Sequence, residues 1–210
     1  MKAKLITLDG IDGSGKSTHI EFVRKWLEGK GVDFVMTREP GGTPLGEKVR
    51  AELLRVGQDI SPAAEALLMF ACRQQLLDDV VVKALNAGRW VVSDRFTDAT
   101  YAYQAYGRGV SEEKIAQLER WAQGDLRPDL TFILDLPLET AMGRLDASRV
   151  KDRFELEGPG FFARVKEGYL RRAKADPGRC VVIDTGGAIE AAREEIRGAL
   201  EKLWRRAQAE

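Results

Sequence analysis

Residues Gly10-Ile11-Asp12-Gly13-Ser14-Gly15-Lys16-Ser17 fill the pattern G-x-x-x-x-G-K-S/T without a gap, after the apolar run Leu5-Ile6-Thr7-Leu8 and before a helix-patterned stretch over about 17–28. A glycine-rich turn between strand and helix aims successive backbone N–H groups inward, and the helix adds the positive end of its dipole. The product is a cradle for phosphate oxygens. In such a cradle Lys16 reaches the β- and γ-phosphates of a nucleotide, and the Ser17 hydroxyl can ligate Mg²⁺. With Thr18 next in line, Gly10, Ile11, Asp12, Gly13, Ser14, Gly15, Lys16 and Ser17 make up the expected nucleotide loop.

Four further apolar runs of strand length follow: Phe34-Val35-Met36-Thr37, Trp90-Val91-Val92-Ser93, Leu130-Thr131-Phe132-Ile133-Leu134 and Cys180-Val181-Val182-Ile183. They are nearly continuous rather than alternating, as strands buried on both faces are. Helical patterns separate them. One opens at Ser61-Pro62, a cap and first-turn pair with Glu65 in the opening turn, and extends to about Leu85, with Leu67, Phe70, Leu77, Val81 and Leu85 along one face. Another covers about 188–206. Strands alternating with helices predict right-handed crossovers, hence a three-layer αβα P-loop NTPase fold on a five-stranded parallel sheet. One domain over residues 1–210 is expected from this length.

Ligands in such sheets sit beyond the carboxyl ends of the strands, where this chain places Asp9-Gly10, Arg38-Glu39-Pro40, Asp94-Arg95 and Asp135. Asp94 is placed to hold Mg²⁺, usually through water, and Arg95 is a fixed cation at the cleft floor. Lys plus Arg and Asp plus Glu both total 33, which argues against a nucleic-acid or anionic-membrane partner. Cys72 and Cys180 stand far apart among apolar or small residues and are expected to be reduced core thiols. The first residues lack a leader pattern, so a cytoplasmic location is expected. His19, the single histidine, is read as a surface or packing residue rather than a base.

Guanine-recognition and switch motifs of GTPases are absent, and arginines outside the cradle are plentiful. The blocks Asp9 to Thr18, Thr37-Arg38-Glu39-Pro40-Gly41-Gly42-Thr43, Asp94-Arg95-Phe96 and Gly107-Arg108-Gly109 occur in that order, and together they resemble the bacterial thymidylate kinase (dTMP kinase) family over nearly the whole chain. The resemblance implies transfer of the ATP γ-phosphoryl group to dTMP, giving dTDP and ADP with Mg²⁺, on the route to dTTP. It implies that Arg38 and Arg95 bind the dTMP phosphate, a task suited to the planar guanidinium fork. It likewise implies that Phe70 and Arg73 form a platform and contact for thymine, and that Thr100, Tyr103 and Gln104 bound the pyrimidine edge and sugar. The Tyr103 ring would exclude a ribose 2′-OH. Asp12 would accept a bond from the sugar 3′-OH. Whether Phe70 or its neighbour Met69 faces the base stays open, because many relatives space the aromatic residue and the arginine by four rather than three.

Some relatives carry an arginine directly after the loop carboxylate, where this chain has Gly13. The resemblance places compensating charge in a lid over about 145–160, with Arg153 the main lid cation and Arg149 its partner one helical turn away, both aimed at the transferring phosphate. Composition alone would also allow that run as a solvated helix face. Catalysis is thus expected from Lys16, Asp94, Arg95, Arg149 and Arg153, and the chain is expected to be a homodimer. Rival readings are a kinase for dUMP, dCMP or dGMP and a P-loop regulatory module that binds nucleotide without forming dTDP.

Overall fold

The computed structural model describes residues 1–144 and 151–210. Each apolar run becomes a strand; those from Leu5, Trp90 and Leu130 are buried, while those from Phe34 and Cys180 are partly exposed at the sheet edges. The strands are β1 (Leu5–Asp9), β2 (Phe34–Arg38), β3 (Trp90–Asp94), β4 (Leu130–Asp135) and β5 (Cys180–Asp184). All pair in parallel, in the order β2-β3-β1-β4-β5. Each ends on a charged residue beyond its apolar run, so Asp9, Arg38, Asp94 and Asp135 are themselves strand termini. From β1 the chain runs to the edge strand β2, returns to β3 beside β1 and then crosses to β4 and β5 on the other side, which makes the carboxyl end of β1 the point where a crevice opens.

In chain order the helices are α1 (Lys16–Gly29), α2 (Pro44–Leu54), α3 (Pro62–Leu76), α4 (Val82–Asn86), α5 (Thr97–Thr100), α6 (Glu112–Gln123), α7 (Leu138–Arg144), α8 (Pro159–Ala175) and α9 (Ile189–Ala209). A π-helical turn over Leu77–Val81 joins α3 to α4, and a second, Tyr101–Gly107, continues α5. Alternation along the strands separates the two faces. Ile6, Leu8, Val92 and Phe132 pack with Val23 and Leu27 of α1 and Ile196 and Leu200 of α9. Leu5 and Val91 turn the other way onto Leu76, Leu77 and Val81, while Ile133 meets Phe162 and Val165 of α8. Three layers result, as the strand pattern requires.

Ser61 caps α3 as expected, its hydroxyl accepting from the Ala64 N–H. Leu67 departs from expectation: it is 56% exposed, and the buried line instead includes Ala66, Phe70, Arg73 and Leu77. Leu67 lies about 100° round the helix from Ala66, outside that line. The cysteines are free and buried, and burial pushes their thiols up, Cys72 to about 11 and Cys180 to about 12. Among the described residues no helix is long and apolar enough to cross a membrane.

Candidate active site

The loop from Gly10 to Gly15 leaves β1 and enters α1 at its N-terminus. Gly13 has φ 82°, and a Cβ there would stand 2.3 Å from the Ala141 carbonyl oxygen of α7. A side chain is therefore excluded twice, by backbone conformation and by space. Lys16 folds back over the loop, its Nζ donating to the Gly10 and Ile11 carbonyls at 3.0 Å each and approaching Asp12 Oδ1 at 3.5 Å. Burial and then the neighbouring Arg95 lower its ammonium from the ordinary value. Gly13, Gly15, Lys16, Ser17 and Thr18 line a cavity shared with Asp94, Arg95, Arg144 and Lys151.

Arg95 joins this cavity to a second one. It is the single non-glycine residue of positive φ, 68°, among those described. Such a conformation persists only where surrounding bonds over-determine it. Here the Arg95 N–H donates to Leu8 O, its own carbonyl accepts from Ser93 Oγ, and its guanidinium donates to Gly10 O (2.9 Å), Tyr169 OH (2.9 Å), Asp12 Oδ1 (2.7 Å) and Tyr103 OH (3.3 Å). Burial alone would raise the Asp12 carboxyl; the charges of Arg95 and Lys16 and the Tyr103 hydroxyl outweigh it and hold the group well below the usual carboxylate range. Behind the loop, burial pushes Asp9 up to about 7, with Asp98 and Asp94 adding to the effect and Arg95 and Lys16 opposing it. Asp94 Oδ1 is buried with no hydrogen-bond partner.

The second cavity is walled by α3, the turn after β3 and the segment after residue 150. Asp12, Arg95, Arg73, Thr100, Tyr103 and Gln104 form much of its wall. Arg73 is buried and donates to both carboxylate oxygens of Glu39 (3.0 and 2.6 Å) and to Thr100 Oγ1 (2.8 Å), leaving its buried Nη1 without a partner. Phe70 shares a helix face with Arg73, whose guanidinium stacks 4.7 Å above its ring, but Phe70 belongs to a core cluster with Tyr101 and Ile115 and is not on the cavity wall. Met69 is on the wall. The side chain is simply one position too far round α3. Arg38 also differs from expectation: it is 52% exposed and pairs with Glu47 in the first turn of α2 at 2.7 Å, outside the wall. Arg50, from the same helix, takes the place on the wall.

Of the lid cations, Arg149 lies outside the described residues. Arg153 does not line the phosphate cavity. Its Nε donates to Leu53 O (2.9 Å) and its Nη2 to Glu65, so a buried carboxylate of α3 draws it away from that cavity. Lys151 and Arg144 stand on the phosphate cavity instead, and Arg144 donates to Thr185 O in the loop after β5, next to a further pocket lined by Ser14, His19 and Gly187. His19 is buried there, its imidazole pK lowered by burial and by Arg193 and Arg144, so it packs rather than acts as a base. Sequence reasoning missed Arg50, Lys151, Tyr169 and the inward turn of Glu65. Arg50 and Tyr169 sit inside ordinary amphipathic helices and carry no local signal; Lys151 was visible only as one charge among several.

Parallel sheet, glycine cradle at the end of β1, and a cation-lined cleft sharing Asp12 and Arg95 with it define a P-loop nucleotide phosphotransferase. A sequence profile described as thymidylate kinase matches residues 8–196. The thymidylate kinase of Chromobacterium violaceum is 54% identical over 205 residues, 98% of this chain and 97% of that one, and that of Neisseria meningitidis serogroup C is 51% identical over 203 residues, 97% of each. The crystal structure of thymidylate kinase from Ehrlichia chaffeensis superposes with TM-score 0.76 at 34% identity, covering 96% of this chain and 99% of its own. The chain belongs to the thymidylate kinase family.

Proposed function

We propose that this protein transfers the γ-phosphoryl group of ATP to dTMP, giving dTDP and ADP, with the donor over the glycine loop and the acceptor in the adjoining cleft. The observation that carries this reading is the shared wall: Asp12 and Arg95 face both cavities, so two polyanions seated in them meet end to end. Transfer of this kind depends on alignment and on cations that spread the charge of the migrating group. Lys16, released from the Gly10 and Ile11 carbonyls, supplies one cation at the donor phosphates; Lys151 supplies another from above. Arg95 and Arg50 hold the acceptor phosphate, with Arg38 adding charge at the rim. The unpartnered Nη1 of Arg73 is offered to a carbonyl oxygen of the base, Thr100 and Gln104 bound the pyrimidine edge, and Tyr103, with its hydroxyl 3.2 Å from Asp12 Oδ2, closes the sugar side. Asp12, ionised, accepts from the sugar 3′-OH.

Mg²⁺ fits the residues present. Asp94 has an orphaned buried oxygen and Ser17 a hydroxyl on the same cavity, the hard oxygen donors this ion takes. When bound, the ion neutralises the β- and γ-phosphate oxygens. Donor adenine is assigned to the pocket beside Arg144 and Thr185. The protein acts in the cytoplasm, and as a homodimer, the second reading supported by exposed Leu67 on α3 and by Trp121 on α6, 88% exposed. Incubation with γ-labelled ATP, Mg²⁺ and dTMP is the test: label in dTDP is expected, and labelled phosphate without dTDP would refute the assignment.

A further inference from the structure

Glu65 is fully buried on α3, outside the phosphate machinery, yet three side chains converge on it. Arg153 Nη2 donates to Oε2, Arg108 Nε lies 3.4 Å away, and Gln104 Nε2 donates to Oε1 at 2.9 Å. Arg108 in turn pairs with Glu157, and both arginines lie over the Phe154 ring. A carboxylate held between two guanidinium groups can only accept hydrogen bonds. Its neighbour Gln104 must therefore turn its NH₂ toward Glu65, which fixes the amide orientation by network rather than by packing. Among the described residues none donates to Gln104 Oε1, and Gln104 lines the acceptor cleft.

We propose that Glu65 is a positioning residue for base selection: by holding the Gln104 NH₂ it presents the amide oxygen to the cleft, so that the cleft favours a pyrimidine whose N3 carries hydrogen and disfavours one whose N3 is a bare acceptor. Thymine has the first character and neutral cytosine the second. The proposal rests on the reading of the second cavity as the dTMP site. Arg73 discriminates separately, at the exocyclic group, through a different carboxylate, Glu39. Glu65 thus sets one of two readers, and its removal should blunt selection without abolishing it.

The test replaces Glu65 by glutamine, which either donates or accepts and so lets Gln104 flip. The quantity read is kcat/KM for dTMP divided by that for dCMP. In Glu65→Gln this ratio is expected to fall by about tenfold or more, chiefly through improved use of dCMP, since a site built around one hydrogen-bond polarity rejects the other strongly. A ratio within twofold of the parent overturns the proposal, including the case in which both substrates lose activity equally, the signature of a merely structural role. If Arg108 and Arg153 cannot tolerate the loss of the anion and the variant does not fold, the double variant Glu65→Gln/Arg108→Gln, which removes one cation with it, carries the same test. A parent enzyme that makes no dTDP would overturn the acceptor reading itself, whereas a parent that makes dTDP with an unchanged variant ratio overturns this inference alone.

Discussion

Two residues at the carboxyl end of β1 carry opposite consequences of burial. The Gly13 φ of 82° and the Ala141 oxygen 2.3 Å from any Cβ mean that a side chain cannot be added there without moving α7. Gly13→Ala is expected to cost about 1–3 kcal/mol in urea unfolding and to raise KM for ATP more than KM for dTMP. Asp9 concerns pH. Its folded pKa, about 7 against an ordinary 3.8, is raised, so the native state binds more protons than the unfolded chain between those values. The associated stability is therefore full below about pH 4 and lost as pH rises through about 7, on the order of 4 kcal/mol. Asp12, with its pKa depressed, gives stability that is full above its unfolded pKa and lost only in acid, so it contributes no slope between pH 5 and 8. His19 is lowered and adds a slope of the opposite sign near 6.5, which cancels when variants are compared. Asp9→Asn should thus gain stability over the parent at pH 8 relative to pH 5; equal pH profiles would show that Asp9 does not titrate in this window.

At the scale of elements, the short segment after residue 150 lies between the two cavities. Asp152 and Phe154 line the second cavity, while Lys151 and Glu155 line the one at the glycine loop. This division predicts different defects from neighbouring cations. Lys151→Ala should lower kcat roughly a hundredfold, as loss of a cation over the migrating group does, whereas Arg153→Ala should act mainly on KM for dTMP through Glu65 and Phe154. Steady-state kinetics with both substrates decides it, and a hundredfold kcat loss in Arg153→Ala alone would restore Arg153 as the cation over the phosphate. Cradle, the five strands and the start of α3 were legible because each is a local pattern, whereas the order of the strands in the sheet is not written in any one segment. The direction of Arg153 was not, since it depends on a buried carboxylate 88 residues away. The outward pairing of Arg38 with Glu47 is likewise announced by no spacing in the sequence. That Met69 rather than Phe70 lines the second cavity depends on which flank of α3 meets it, a fact of tertiary packing alone.

The whole molecule uses α3 on both sides. Its inner flank supplies Glu65, Met69 and Arg73 to the acceptor region, and its outer flank carries Leu67, while the donor loop belongs to β1 and α1 on the sheet. In a two-fold dimer the same face of each copy meets its equivalent, so a substitution on that face acts twice at the contact. Burying one exposed leucine contributes about 1.5–3 kcal/mol, and a glutamate there would instead bring like charges together. Leu67→Glu should accordingly convert a dimer to a monomer in sedimentation velocity. Loss of the contact would loosen α3 rather than the phosphate loop, so KM for dTMP is expected to rise several-fold while KM for ATP stays within about twofold. A variant that sediments as the parent does would remove the outer flank of α3 from the interface and leave α6, with exposed Trp121, as the surface to alter next.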